Sequence, residues 1–170
     1  MTPESTARLF IALLPDECVR GQLAACRDAW TWPRSASPVK TERLHVTLHF
    51  LGDVALERLP ELAEALDVPF QPFTLRLSRA NLWPGGIAIL EPEAIPAGLT
   101  ALHGATASIL QRLDLRVDAR PFRPHVTLAR RANGAVVEHA MLPVSWAIDR
   151  YALMNSTLGA GGGYTVVKQF

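Results

Sequence analysis

Apolar and polar residues alternate along the chain with two different periods, and the switches between those periods mark out its elements. Residues 8–14 end in the unbroken apolar run Leu-Phe-Ile-Ala-Leu-Leu, which predicts a buried opening strand that Pro15 stops. Beyond Pro15 and Asp16 the apolar positions Val19, Leu23, Cys26 and Trp30 recur at spacings of three and four, so a helix is expected to about Trp30. Residues 31–42, rich in Pro, Ser and Thr, read as a loop that carries Trp32. Val46 and Leu48 then alternate with His45 and Thr47, the period of a half-buried strand, which ends at Leu51-Gly52-Asp53. A helix is expected over 54–67, well formed from Pro60 onward, because proline is tolerated in a first turn but not further in. Phe73, Leu75 and Leu77 mark a strand over 72–81, residues 83–86 a turn, and 87–90 a short apolar strand. Leu99, Leu102, Thr106, Ile109 and Leu113 line one face of the clearest helix, 95–113. Residues 122–130 repeat the earlier alternation, and Asn133-Gly134 is a turn signal. Strands are expected over 143–153 and 164–170, with a flexible glycine-rich run at 159–163 between them.

Strands and helices mix here without the strict alternation of a parallel sheet. The fold class expected is therefore α+β, with antiparallel sheets lining a central cleft and helices outside. Each half runs strand, helix, histidine strand, then further strands. Arg43-Leu44-His45-Val46-Thr47-Leu48 returns as Arg123-Pro124-His125-Val126-Thr127-Leu128, an offset of eighty in 170 residues. This is one device built twice.

Residues two apart on a strand share a face, so each copy presents an imidazole and a hydroxyl to the same side. If the halves face each other, two imidazoles and two hydroxyls meet in one cleft. Imidazole has an unperturbed pKa of about 6.5 and both takes and gives protons near neutrality. One neutral histidine can activate an attacking oxygen and one protonated histidine can serve the leaving oxygen, while the threonines donate to phosphoryl oxygens. The plainer reading, two strands with partly buried structural histidines, suits a lone His-x-Thr better than a matched pair. Zinc is disfavoured. His45 and His49 have the spacing of a helical metal motif, but they lie in strand sequence and lack its glutamate. His103 and His139 read as structural histidines. Alternation places Arg130 on the face opposite His125 unless the strand bends or ends before it.

The formal net charge of +1 predicts no strong bulk attraction to nucleic acid. Its distribution matters more. Arg116, Arg120, Arg123, Arg130 and Arg131 gather around the second copy, and Arg34, Lys40 and Arg43 precede the first. Such clusters are a solvated face or a local field for an anionic substrate. Trp32 is a packing aromatic or a platform for a base. Cys18 and Cys26 are too few for a disulfide framework and are expected as reduced thiols. With no signal peptide and no membrane-spanning run, a cytoplasmic protein without membrane attachment is expected.

With these residues in view, the chain resembles the two-histidine phosphoesterases, and among them the bacterial RNA 2′,3′-cyclic phosphodiesterases, also called 2′-5′ RNA ligases or LigT-like proteins. The matching segments are Arg8-Leu-Phe-Ile-Ala-Leu, the two HxTx signatures within residues 44–52 and 122–130, and Ser156 through the glycines to Tyr164. The resemblance implies a single bilobal domain over 1–170, its lobes related by a pseudo-two-fold axis with His45 facing His125. It implies metal-independent opening of an RNA 2′,3′-cyclic phosphate to a 2′-phosphate, with no cofactor, and in some members reversible 2′-5′ ligation. Carried over by position, His45 protonates the departing 3′-oxygen and His125 activates water. Thr47 and Thr127 hold phosphoryl oxygens, and Arg130 adds charge. The expected partner is an RNA or nucleotide bearing a 2′,3′-cyclic phosphate, acted on by a monomer. Other small cyclic or 2′-5′-linked nucleotides, or a non-catalytic RNA-end binding module, are the alternatives.

Overall fold

The computed structural model describes residues 5–137, 141–157 and 162–170. The elements in chain order are β1 (Thr6–Leu13), α1 (Glu17–Asp28), β2 (Trp30–Thr31), β3 (Ser37–Pro38), β4 (Val46–Ala55), α2 (Leu59–Ala65), β5 (Phe73–Trp83), β6 (Ile87–Pro92), α3 (Ala97–Arg112), β7 (Val126–Arg130), β8 (Val136–Val137), β9 (Val144–Ile148), β10 (Ala152–Ser156) and β11 (Tyr164–Gln169). Single turns of 3-10 helix precede β4 and α2. The fold is α+β, as expected. Among the described residues nine strands form one curled antiparallel sheet, ordered β11-β10-β1-β4-β7-β6-β5-β9 with β3 added beside β7.

The eighty-residue offset governs more than the signature. Shifted by it, the starts of β1, α1 and β4 fall at 86, 97 and 126, and β6, α3 and β7 begin at 87, 97 and 126. A strand–helix–strand unit is therefore duplicated, and its two copies meet where β4 pairs with β7 at the centre of the sheet.

Local chemistry explains the helices. The Asp16 side chain accepts a hydrogen bond from the Val19 amide at 2.8 Å and so caps α1, which buries Val19, Leu23 and Cys26. In α3 the expected face, Leu99, Leu102, Thr106 and Ile109, is buried. Both helices pack on the face of the sheet that carries Leu9, Ile11, Leu13, Leu48, Leu77 and Leu128. Among the described residues the other face carries a small apolar cluster of Phe10, Ala12, Ala152 and Met154, and a cavity opens on it. Cys18 and Cys26 are free thiols, and burial pushes the Cys26 thiol up.

Three expectations shift. The second helix starts at Leu59 rather than 54, because Val54 and Ala55 extend β4 to pair with Ala7 and Thr6. The loop 31–42 contains two short strands, β2 paired with β8 and β3 paired with β7. The strand expected over 143–153 breaks at Asp149 and Arg150, since β9 lies at one edge of the sheet and β10 joins the other half. Tyr151 fixes this crossing: its hydroxyl donates to the Leu66 carbonyl at 2.6 Å and accepts from the Val68 amide at 3.0 Å. Most of the glycine run 159–163, and His139, lie outside the described residues.

Candidate active site

Val46 and Val126 are direct partners across β4 and β7. Extending that antiparallel register sets His45 across from Thr127 and Thr47 across from His125, a local two-fold arrangement. Diagonal neighbours of this kind lie about 7–8 Å apart, room for a phosphoryl group between the imidazoles. His45, Thr47, His125 and Thr127 line one cavity of about 330 Å³ on the open face of the sheet.

The two rings are held alike. His45 Nδ1 lies 2.7 Å from the Arg43 carbonyl, and His125 Nδ1 lies 2.7 Å from the Arg123 carbonyl. A carbonyl can only accept, so each Nδ1 carries a proton and each neutral ring keeps its Nε2 lone pair for chemistry. Thr47 Oγ1 is 2.9 Å from His45 Nε2 and donates to it; among the described residues Thr127 makes no such bond to His125. Burial lowers both imidazole pKa values, against the raising influence of the carbonyl bonds. Nearby charge adds to the depression of His45 through His125 and Arg130. At His125 the carboxylate of Glu91 opposes Arg123 and Arg130.

Arg130 lines the same cavity, against the parity argument. The cause is a β-bulge. Thr127 pairs with Ile89 and Ala129 with Ala88, so Leu128 is one residue too many and the strand turns over. Thr127 and Arg130, three apart, then share a face. The same device occurs in β4, where Thr47 pairs with Ala12 and His49 with Ile11, leaving Leu48 extra and bringing Phe50 onto the face of Thr47. Phe50 thus stands where its counterpart is Arg130.

Several residues around the site were not singled out as site residues from the sequence, although Arg8, Phe10 and Tyr164 lie in the segments that resemble the family. Arg8 projects from β1 into the cavity with its guanidinium 5.0 Å from the centre of the Phe50 ring. Phe10 and Tyr164 stand beside His45, their ring centres 5.2 and 5.3 Å from the imidazole. Trp83 packs 4.4 Å from His125 and carries the Arg123 guanidinium at 4.5 Å. Arg123 is also ion-paired with the buried carboxylate of Glu91 at 3.0 Å. Of the basic residues noted in sequence, Arg43 and Arg130 reach the cavity. Arg120 pairs with Asp118, and Arg131 bonds Ser37. Trp32 stacks on Trp30 with ring centres 5.1 Å apart and serves packing.

His49 and His103 lie behind the site. His49 Nε2 donates to the His103 carbonyl at 3.1 Å and to Thr106 Oγ1 at 3.0 Å. Its ring stacks on His103, which stacks on Phe122. Burial lowers the His49 pKa to about 4. Among the described residues no group of three or more His, Cys, Asp or Glu side chains is arranged to hold a metal ion. No helix among them is long and apolar enough to cross a membrane.

The RNA 2′,3′-cyclic phosphodiesterase of Escherichia coli (strain K12) is 34% identical to this chain, over 96% of the chain and 95% of that protein. The RNA 2′,3′-cyclic phosphodiesterase of Thermus thermophilus is 31% identical, over 96% and 89% respectively. The crystal structure of E. coli LigT complexed with 3′-AMP superposes with a TM-score of 0.84 at 29% identity, covering 98% of both chains. The family described as LigT like Phosphoesterase matches residues 13–88 and again 89–164, close to the division between the two copies. By these matches the chain belongs to the LigT-like phosphoesterase family.

Proposed function

We propose that the protein hydrolyses RNA 2′,3′-cyclic phosphate ends to 2′-phosphates. The single observation that carries the reading is the pair of matched imidazoles, each with Nδ1 bonded to a carbonyl two residues back, lining one cavity. The relatives named RNA 2′,3′-cyclic phosphodiesterase supply the substrate class. His45 and His125 are the catalytic residues. His125 Nε2 takes a proton from water as its oxygen attacks phosphorus. His45, protonated, gives its proton to the departing 3′-oxygen. With a 5′-hydroxyl in place of water as the attacking group, the same roles would seal a 2′-5′ linkage, and the reverse would cleave one.

Thr47 and Thr127 bind the non-bridging oxygens, where charge grows in the transition state. For Thr47 this means exchanging its bond to His45 Nε2 for one to phosphate. Arg130 supplies positive charge on the same face. The free histidines are held below their usual pKa, which favours the neutral base but not the protonated acid. The phosphodiester anion itself corrects this, since a negative charge between the rings favours imidazolium. No step calls on a metal or cofactor. The protein is taken as a single two-lobed unit over 1–170 acting as a monomer in the cytoplasm.

The direct test is product analysis with an oligonucleotide ending in a 2′,3′-cyclic phosphate, in the presence of EDTA. A 2′-phosphate product at an undiminished rate is expected. A 3′-phosphate, or loss of turnover on chelation, would overturn the assignment.

A further inference from the structure

His45 and His125 take their orientation from carbonyls that are themselves held in different ways. In the first copy Arg43 belongs to the 3-10 turn Thr41–Arg43, and the Leu44 amide donates to the Thr41 carbonyl at 3.3 Å. Pro124 stands where Leu44 does, and proline has no amide hydrogen to close such a turn. Residues 115–125 accordingly form neither helix nor strand. The Arg123 carbonyl, which accepts from His125 Nδ1 at 2.7 Å, therefore needs another anchor.

Glu91, on β6, supplies it. Glu91 is buried, 6% exposed. Its carboxylate accepts from the Arg123 guanidinium at 3.0 Å and from the Asn81 side-chain amide at 3.4 Å, and the Arg79 guanidinium lies 3.8 Å away. A buried carboxylate is strongly unfavourable without such partners, so the Arg123 side chain is held firmly where it lies. The held guanidinium covers Trp83 at 4.5 Å, and Trp83 packs on His125 at 4.4 Å. Glu91 thus reaches the imidazole along two routes, through the carbonyl and through the indole. The first copy has a leucine at this place. Val46 pairs with Leu13 and Val126 with Leu90, so the residues that follow, Leu14 and Glu91, are counterparts. Arg43, with leucine there, lies over Tyr164 at 5.6 Å instead and lines the cavity.

We propose that Glu91 is the positioning residue of His125: it grips the Arg123 side chain, fixes the carbonyl that orients the ring, and sets behind this imidazole a negative charge that His45 lacks. The assignment rests on the phosphodiesterase reading above and adds what makes two like histidines unlike. As His125 takes a proton from water it becomes imidazolium, and a fixed carboxylate on its own side favours that change. Arg123 and Arg130 oppose it, and His45 faces it across the cleft. The other ionisable groups on the Phe122 side of His125 leave Glu91 this role: Asp118 is paired with Arg120, and burial lowers the pKa of His49 and of His103.

The test uses two variants. Glu91→Gln keeps an acceptor for Arg123 and removes the charge, whereas Glu91→Leu, which copies the first repeat, removes both. Each is assayed on adenosine 2′,3′-cyclic phosphate and by NMR titration of the histidine ring signals. Glu91→Leu is expected to lower kcat about tenfold with KM nearly unchanged, and Glu91→Gln to keep most of the wild-type kcat. In both, His125 is expected to titrate at lower pH than in wild type, with His45 close to its wild-type position; a general loss of folding would move both rings. His125 unmoved in Glu91→Gln, His45 moving as far as His125, or an undiminished kcat in Glu91→Leu would each overturn the proposal and spare the phosphodiesterase reading. If Glu91→Leu does not fold, the titration of Glu91→Gln decides alone. That titration needs no substrate, so a wild type inert on the cyclic phosphate sinks the phosphodiesterase reading and leaves Glu91 to be judged by the two rings.

Discussion

The two copies of the strand–helix–strand unit share a backbone and differ in what it carries. Both have a histidine whose Nδ1 is tied to a carbonyl, a threonine two residues on, and a bulge at the next leucine. Past the bulge they part. The first copy continues His49-Phe50 and the second Ala129-Arg130. One side of the cleft therefore gains an aromatic ring, 42% exposed, where the other gains a guanidinium. The copies are alike in the parts that hold the imidazoles and unlike at these two positions that line the cavity.

The comparison breaks most completely if either imidazole is removed. His45→Ala and His125→Ala are each expected to lower kcat by about 10²–10⁴-fold in a cyclic phosphate assay, with the circular dichroism spectrum retained. A loss from only one of them would mean that the apparent symmetry is not chemical. Next come the hydroxyls. Thr47→Val and Thr127→Val should each cost about 10²-fold in kcat if both donate to the transition state. Thr47→Val should also raise the pH at which the free acid, His45, titrates, because the hydrogen bond it loses favours the neutral ring.

The unlike positions sharpen the contrast. Arg130→Ala is expected to reduce kcat/KM by about 10-fold and to flatten its salt dependence, whereas Phe50→Ala should leave the salt dependence as it was. The pH profile is a finer probe. Both free imidazoles are held below the usual value, so kcat/KM should peak on the acid side of about 6.5. It falls at lower pH as the base is protonated and at higher pH as the acid loses its proton. Bound phosphate raises the imidazole pKa values, so the kcat profile should lie at higher pH than that of kcat/KM.

A last effect bears on stability rather than on turnover. His49, unmatched in the second copy, has its folded pKa lowered to about 4, so the unfolded chain binds the extra proton more readily. Its contribution is complete above about pH 6.5 and is lost as pH falls toward 4, up to about 3 kcal/mol. Thermal melts across that window should slope less for His49→Gln than for wild type.

Much of this was legible beforehand. The His45 and His125 strands, the buried face of α3 and the repeat all follow from spacing, because burial on one side writes itself into alternation. The placement of Arg130 and Phe50 was not legible. A bulge costs one residue of register and leaves only two adjacent non-polar positions, Leu128 and Ala129, as its trace. Nor could alternation show Trp83 or Glu91 beside His125, since those contacts join positions far apart along the chain. The break at Asp149 and Arg150 hid for the same reason: local pattern does not say that a strand must leave one edge of the sheet for the other.

That crossing at Tyr151 has a consequence for how the molecule comes into being. β1 lies between β4 and β10, and β10 is itself covered by β11, both of them far along the chain from β1. The flank behind His45 thus stays unfinished until β10 and β11 have joined β1. Such pairing of remote segments slows folding and leaves an incomplete sheet exposed in the interim. A chain truncated before β10 should retain both histidines and yet collect in aggregates, with its N-terminal strand seeking a neighbour that was never synthesised.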